Sequence, residues 1–254
     1  MIELIEASLK ELRCHGMLEN IRDIIEAAKE KPEKPDKQDS LLQTLQKLFK
    51  VEIEYRKTRS LMYRLKLAKL PQLKSLETFN TAESALEKKV LDELLECKYI
   101  QAAENILLIG GSGTGKSHVA LSLAQVALQK GYKIKFYKFS DLARRLLQAK
   151  EHCYEANLIA HLQRYHLLVI DEVGYLPIDK QAGALLFELF STLYEKVSLI
   201  LTTHLAFNEW GELFGSLKAT KAMIDRLTHH CQILETGNVS WRLKERTAQE
   251  GKIN

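Results

Sequence analysis

The spacing of apolar side chains along this chain changes character near residue 105. Before that point it is helical. Ile2, Leu4, Ile5, Leu9 and Leu12, then Leu18, Ile21, Ile24, Ile25 and Ala28, predict helices over 2–12 and 18–29. The stretch Lys29 to Ser40 holds two prolines and almost no apolar side chain, so it reads as a loop. Asp39 or Ser40 is expected to cap a long helix from Leu41 to about Leu70. That helix offers Leu41, Leu45, Leu48, Phe49, Ile53, Met62 and Leu65 for packing, and Pro71 ends it. These three helices predict a small bundle or arm. A further helix over about 82–96 leads into the second regime, where short apolar runs alternate with helical patterns. Strands are expected at 106–109, 133–139, 167–170, 198–202 and 231–235, and helices at about 116–130, 140–150, 155–164, 179–195 and 217–230. Gly131 stops the first of these helices. Such alternation predicts an α/β core whose parallel sheet is covered on both faces, with ligands at the carboxyl ends of the strands.

Composition narrows this only a little. With 46% hydrophobic and 28% charged residues over 254 positions, the chain has the make-up of a soluble globular protein with room for one α/β domain and an appendage. No apolar run approaches the ~20 residues of a membrane span. The first residues carry acids where an export signal carries bases. Cys14, Cys97, Cys153 and Cys231 are widely spaced with no C-x-x-C pair, which suits a reducing compartment, and the cytoplasm is the expected location. Charge matters more. Arg56, Lys57, Arg59, Arg64, Lys66, Lys69 and Lys74 fall in a stretch without a single acid. Such a block can neutralise DNA phosphates, or it can be a solvated helix face, and composition does not choose.

The chemistry begins at Asn105–Ser117. Four apolar residues run into Gly110-Gly111-Ser112-Gly113-Thr114-Gly115-Lys116-Ser117, a G-x-x-x-x-G-K-S loop, and a helical pattern opens behind it through His118. The glycines let backbone N–H groups approach phosphate oxygens, Lys116 reaches the β- and γ-phosphates, Ser117 can ligate Mg²⁺, and the helix directs its positive end at the anion. The flanking strand and helix make this a nucleoside triphosphate site. A second apolar run, Leu167 to Ile170, ends in Asp171 and Glu172. Asp171 is placed to hold the Mg²⁺ shell and Glu172 to polarise an attacking water, which favours hydrolysis over transfer to a small acceptor. On the strand Ser198–Thr203, Thr203 or the following His204 can orient that water. Arg226 suits a finger that stabilises a neighbouring subunit's γ-phosphate, although an Asp225–Arg226 surface pair is the simpler reading. His229, His230 and Cys231 are rejected as metal ligands, because consecutive residues on a helix diverge and no second ligand pair is present.

These residues carry a resemblance. The phosphate loop, Leu167–Asp179 (LLVIDEVGYLPID), Phe207–Gly215 with its E-W-G-E core, Asp225–Cys231 (DRLTHHC), Ser240–Glu245 (SWRLKE) and the basic connector Leu65–Phe79 are similar to the IstB family. That family comprises ATP-binding helper proteins of bacterial insertion sequences, related to the DnaC and DnaI helicase loaders within the AAA+ class. The resemblance spans roughly residues 55–246. It implies a P-loop AAA+ core with a five-stranded parallel sheet and no C-terminal helical lid, over 81–246. A small all-α domain (1–70) and a basic connector (71–80) precede it, and a tail (247–254) follows. It also implies a Mg²⁺-dependent ATPase that assembles with copies of itself on duplex DNA, with Arg226 acting in trans and a cognate transposase as client. Arg242 resembles a late arginine near the nucleotide or the subunit boundary. Two departures stand out. His204 occupies a position that is usually Asn, and Lys135 and Lys138 lie on the second strand where apolar or small polar residues are usual, consistent with exposure.

Three other readings share the core. A replicative helicase loader has the same motor, but the Cys/His cluster of zinc-bearing loaders is missing from the N-terminal region. A small-molecule P-loop kinase is disfavoured by Glu172. An ATP-switched scaffold without turnover is kept open by His204.

Overall fold

A computed structural model of the chain describes residues 2–29, 37–76, 86–211, 213–237 and 240. The chain divides into two compact units, Met1–Tyr63 and Arg64–Asn254. In the first, α1 (Ile2–Glu11) packs on α2 (His15–Lys29), helped by an ion pair of Arg22 with Glu6 at 2.6 Å. The third helix, α3, runs from Lys37 to Ala68 and ends with Lys69 in the left-handed region at φ 55. It therefore already includes Asp39 and Ser40, neither of which caps it, and it stops before Leu70.

The start of α2 lies almost against the backbone of α3. A Cβ on Gly16 would stand 2.6 Å from Cβ of Tyr55, so only glycine fits. This approach buries Met17 and Ile21 and also the carboxylate of Glu52. Glu52 accepts the N–H of Met17 at 3.0 Å and the Arg56 Nε–H at 2.6 Å. Its negative charge thus sits at the positive end of α2, where the helix dipole favours it. Packing reaches fewer apolar residues than the periodicity predicts. Leu45, Phe49, Ile53 and Met62 are exposed on α3.

The second unit contains α4 (Lys88–Leu95), α5 (Lys98–Gln101), β1 (Asn105–Ile109), α6 (Lys116–Gln129), β2 (Ile134–Lys138), α7 (Phe139–Glu151) and α8 (Glu155–Leu162). After these come β3 (Leu167–Val173), α9 (Lys180–Leu193), β4 (Ser198–Thr203), α10 (Leu217–His229) and β5 (Cys231–Glu235). The strands form one parallel sheet in the order β2-β3-β4-β1-β5. Its core strands read as continuous apolar runs because both faces are covered. Leu107, Leu168, Ile170, Leu199 and Leu201 meet α7–α10 on one face, and the residues alternating with them face α6. At the end of α6, Gly131 N–H bonds to Leu128 O and Tyr132 N–H to Ala127 O, the paired closure expected of a glycine stop.

Asn105 ties the amino ends of the sheet together. Its amide N–H donates to Leu227 O at 3.1 Å, its side-chain oxygen accepts Leu199 N–H at 3.1 Å, and its backbone N–H bonds to His230 O at 2.7 Å. Beyond β5 only residues 236, 237 and 240 are described, so the expectation of no C-terminal lid falls outside the described residues. Among the described residues no helix is long and apolar enough to cross a membrane.

Glu52→Gln keeps the side chain's shape and removes its charge. The expected loss is about 1–3 kcal/mol, read as faster hydrogen exchange at the Met17 amide and a lower urea midpoint for the N-terminal unit. Burial would raise the Glu52 carboxyl, but hydrogen bonds from Arg56 and Met17 outweigh it and hold it below the ordinary 4.5. Its contribution is therefore complete above that value and fades as pH falls through the lower, folded one.

Candidate nucleotide-binding site

The loop between β1 and α6 opens at the carboxyl end of the sheet, next to the ends of β3 and β4. Gly113 (φ 79) and Gly115 (φ 97) turn it with left-handed backbone. A Cβ on Gly113 would meet Oγ of Ser240 at 2.3 Å. The segment after β5 is thus laid against the loop, and the contact is reciprocal. Thr236 Oγ1 is 2.6 Å from Thr114 Oγ1, the Thr236 N–H donates to Ile109 O, and the Gly111 N–H donates to Gly237 O at 3.0 Å. The Lys116 ammonium donates to the carbonyls of Gly110 at 2.7 Å and Gly111 at 2.6 Å, folded across the loop. The His118 ring turns away toward the connector, with Nε2 2.8 Å from Ser75 O.

Asp171 is the centre of the site. It is buried, and its Oδ1 accepts the Ser117 hydroxyl at 2.8 Å and the Thr202 hydroxyl. Thr202 also accepts the backbone N–H of Glu172 at 2.9 Å. Glu172 is in the left-handed region (φ 65), and the β3–β4 register shifts between Ile170 and Val173 around it. A backbone of this kind costs about 1–3 kcal/mol, and such strain concentrates at functional positions. The Glu172 carboxylate leaves the sheet for Lys138 Nζ at 3.0 Å, and the Lys138 ammonium is raised by that hydrogen bond and charge.

Thr202 is a residue that sequence reasoning misses. The alternation of β4 holds the signal: Leu201 faces α7–α10, so Thr202 faces α6 and Asp171. Thr203 faces the other way. Its hydroxyl donates to Val173 O at 2.9 Å and accepts Leu205 N–H at 3.1 Å. His204 is exposed beside Tyr175, ring centroids 5.4 Å apart.

Arg226 lies in the last turn of α10, which runs toward the amino ends of the strands, away from the phosphate loop of its own chain. Its guanidinium donates to Ser191 Oγ and stands 5.3 Å over the Phe187 ring, both on α9. Trp210, from the E-W-G-E segment, is buried against Phe207 and Phe214, and Phe214 meets Phe190 of α9. Trp210 thus serves packing. Arg242 and Glu212 lie outside the described residues.

The basic block divides by surroundings. Arg56 pairs with Glu52 and Lys57 with Glu54 at 2.9 Å, acids lying just before the acid-free stretch. Arg64 Nε donates to Leu128 O at the end of α6. Arg59, Lys66 and Lys69 are exposed, and Lys74 is half-buried. Lys135 is not exposed as the sequence suggests: it is buried and donates to Leu67 O at 2.6 Å. Burial first, then the charges of Lys69 and Arg145, lower its ammonium to about 8.

A phosphate loop after the first strand, an acidic pair ending the third, and a strand inserted between them define a P-loop core of the AAA+ class. The family model described as "IstB-like ATP binding protein" matches residues 7–249, and the chain belongs to that family. A Pseudomonas aeruginosa protein named for ATP binding in insertion sequence IS21 is 36% identical over 192 residues, 75% of this chain and 72% of its own. Its counterpart in insertion sequence IS5376 of Geobacillus stearothermophilus is 37% identical over 202 residues, 79% of this chain and 80% of its own. Solved structures show the same fold at low identity. The DnaC helicase loader has a TM-score of 0.51 at 15% identity, covering 58% of this chain and 86% of its own. For DnaI the values are 0.52, 12%, 64% and 90%.

Thr202→Val leaves the Glu172 N–H without an acceptor and Asp171 without one donor. The expected destabilisation is about 1–3 kcal/mol, measured by urea unfolding, and an unchanged midpoint would remove Thr202 from this role.

Proposed function

We propose that the chain is an ATP-dependent helper of transposition, an Mg²⁺-dependent ATPase that assembles on duplex DNA and acts on a cognate transposase. The observation that carries the catalytic part is the cluster of Ser117, Asp171, Thr202 and Glu172 at the mouth of the phosphate loop. A loop turned by left-handed glycines, and a hydroxyl already paired with a carboxylate, suit a Mg²⁺–triphosphate group. Backbone N–H groups of residues 112–118 and Lys116 would hold the phosphates, those of Gly110 and Gly111 being donated to Thr203 O and Gly237 O, and Ser117 and Asp171 would hold the metal. Bound Mg²⁺ supplies charge neutralisation at the phosphates.

Glu172 accepts the proton of the attacking water. To do so its carboxylate leaves Lys138, an exchange made cheap because the pair is half exposed and worth at most about 1 kcal/mol. His204 flanks the same end of the sheet and orients the water, and Thr203 supports its backbone. Arg226 points away from its own chain's loop and serves a neighbour's. The insertion-sequence names of the relatives support the transposase partnership. The DnaC and DnaI folds keep a helicase loader as the alternative.

DNA contact is assigned to the basic block, chiefly the exposed Arg59, Lys66 and Lys69 with Lys74. Arg56, Lys57 and Arg64 already serve protein acceptors and contribute more by field than by contact.

Glu172→Gln should retain ATP binding and lose at least about 100-fold in turnover, whereas Lys116→Ala should lose binding itself. Full turnover by Glu172→Gln would end the proposed role of that residue. Arg226→Ala should be inactive as assembled protein but regain activity when mixed with Glu172→Gln subunits, because each supplies what the other lacks. If mixing restores nothing, the finger does not act in trans. Changing Lys66, Lys69 and Lys74 together to Gln should weaken binding to every duplex and flatten the log–log salt slope by roughly 2–3. A slope equal to that of the unaltered protein would make the block a solvated face.

A further inference from the structure

Two objections stand against a metal at His229 and His230: neighbours on a helix diverge, and no second ligand pair is present. The structure removes the first and answers the second with one further group from elsewhere in the chain. Helix α10 stops at His229, and His230 leaves helical geometry (φ −123, ψ 75), so that the two rings come together edge to face with centroids 4.1 Å apart. The third group comes from the turn between α9 and β4. Oε1 of Glu195 is 3.6 Å from Nε2 of His230 and 4.0 Å from Nδ1 of His229. One possible ligand atom from each of the three residues lies within 4.8 Å of the other two, a spread that small rotamer changes close onto one ion. Cys231 is not part of the group.

We propose that Glu195, His229 and His230 form a binding site for a divalent transition metal of the zinc class, joining the end of α9 to the end of α10. Two imidazoles and one carboxylate are a set that zinc accepts with a position left open. Magnesium and calcium prefer oxygen ligands throughout and are poorly matched. All three side chains are more than half exposed, so an ion reaches them without opening the core.

The location gives the site a consequence. Arg226 lies in the last turn of α10, just before His230, and its partner Ser191 lies in the last turn of α9, just before Glu195. A bound ion braces the two helices that hold this guanidinium. The consequence rests on the proposed role of Arg226, but the metal binding does not.

The test is a Zn²⁺ titration of the full chain by calorimetry, repeated on His229→Ala, His230→Ala and Glu195→Gln. One equivalent should bind, and each substitution should weaken it by at least about tenfold. Co²⁺ substituted for Zn²⁺ should give visible d–d bands without a thiolate-to-metal charge-transfer band. Absence of saturable binding to the unaltered chain, equal affinity in the three variants, or a thiolate band would each overturn the proposal, the last by moving the ion to a cysteine. Arg226→Ala separates the two readings, since it should leave the Zn²⁺ titration unchanged whatever it does to turnover.

Discussion

A carboxylate buried at the end of a parallel sheet must be given donors, because an unpaired charge there costs several kcal/mol even after relaxation. Asp171 is that carboxylate, and meeting its demand organises the second unit. Ser117 comes to it from the first turn of α6, which fixes how the helix leaves the phosphate loop. Thr202 comes from β4, and through the same hydroxyl it holds the N–H of Glu172 in a backbone that would otherwise relax. Helix and both strands converge on one carboxylate oxygen, Oδ1 of Asp171. The loop, the acidic pair and the strand between them are thus one arrangement rather than three motifs that happen to be near each other.

Much of this is legible in the chain because it follows from short-range periodicity. The five strands fall where continuous apolar runs place them, and their parallel pairing follows from the intervening helices. Asp171 and Ser117 could be assigned by motif. What could not be read is whatever depends on which face of an element is used at its end. Thr202 and Thr203 are chemically identical neighbours, and only the inward or outward sense of Leu201 tells which one meets Asp171. The bend at Glu172 has no signal in composition. His229 and His230 were separable only on the assumption that the helix continues through both.

The N-terminal unit was harder, and for a different reason. Its helices are visible from periodicity, but α3 leaves apolar side chains such as Phe49 and Met62 exposed, so hydrophobic spacing there does not report burial. Charge misleads in the same way. Counting cations from Arg56 onward hides Glu52 and Glu54, which lie one turn earlier and hold two of them. A basic run on a helix has to be read together with the turn that precedes it, because residues three and four apart share a face.

The seam between the phosphate loop and the segment after β5 has a bearing on how this sequence can drift. Gly113 is usually explained by the need of a phosphate for close backbone approach. Here the same position is also walled off by Ser240, and the N–H of the neighbouring Gly111 is engaged by Gly237. A side chain at residue 113 would be strained by the left-handed backbone and would have to displace the Ser240 hydroxyl before a nucleotide arrives. Selection on that glycine therefore acts on the resting protein as well as the working one, and a copy that had abandoned catalysis would still be held to it by folding alone.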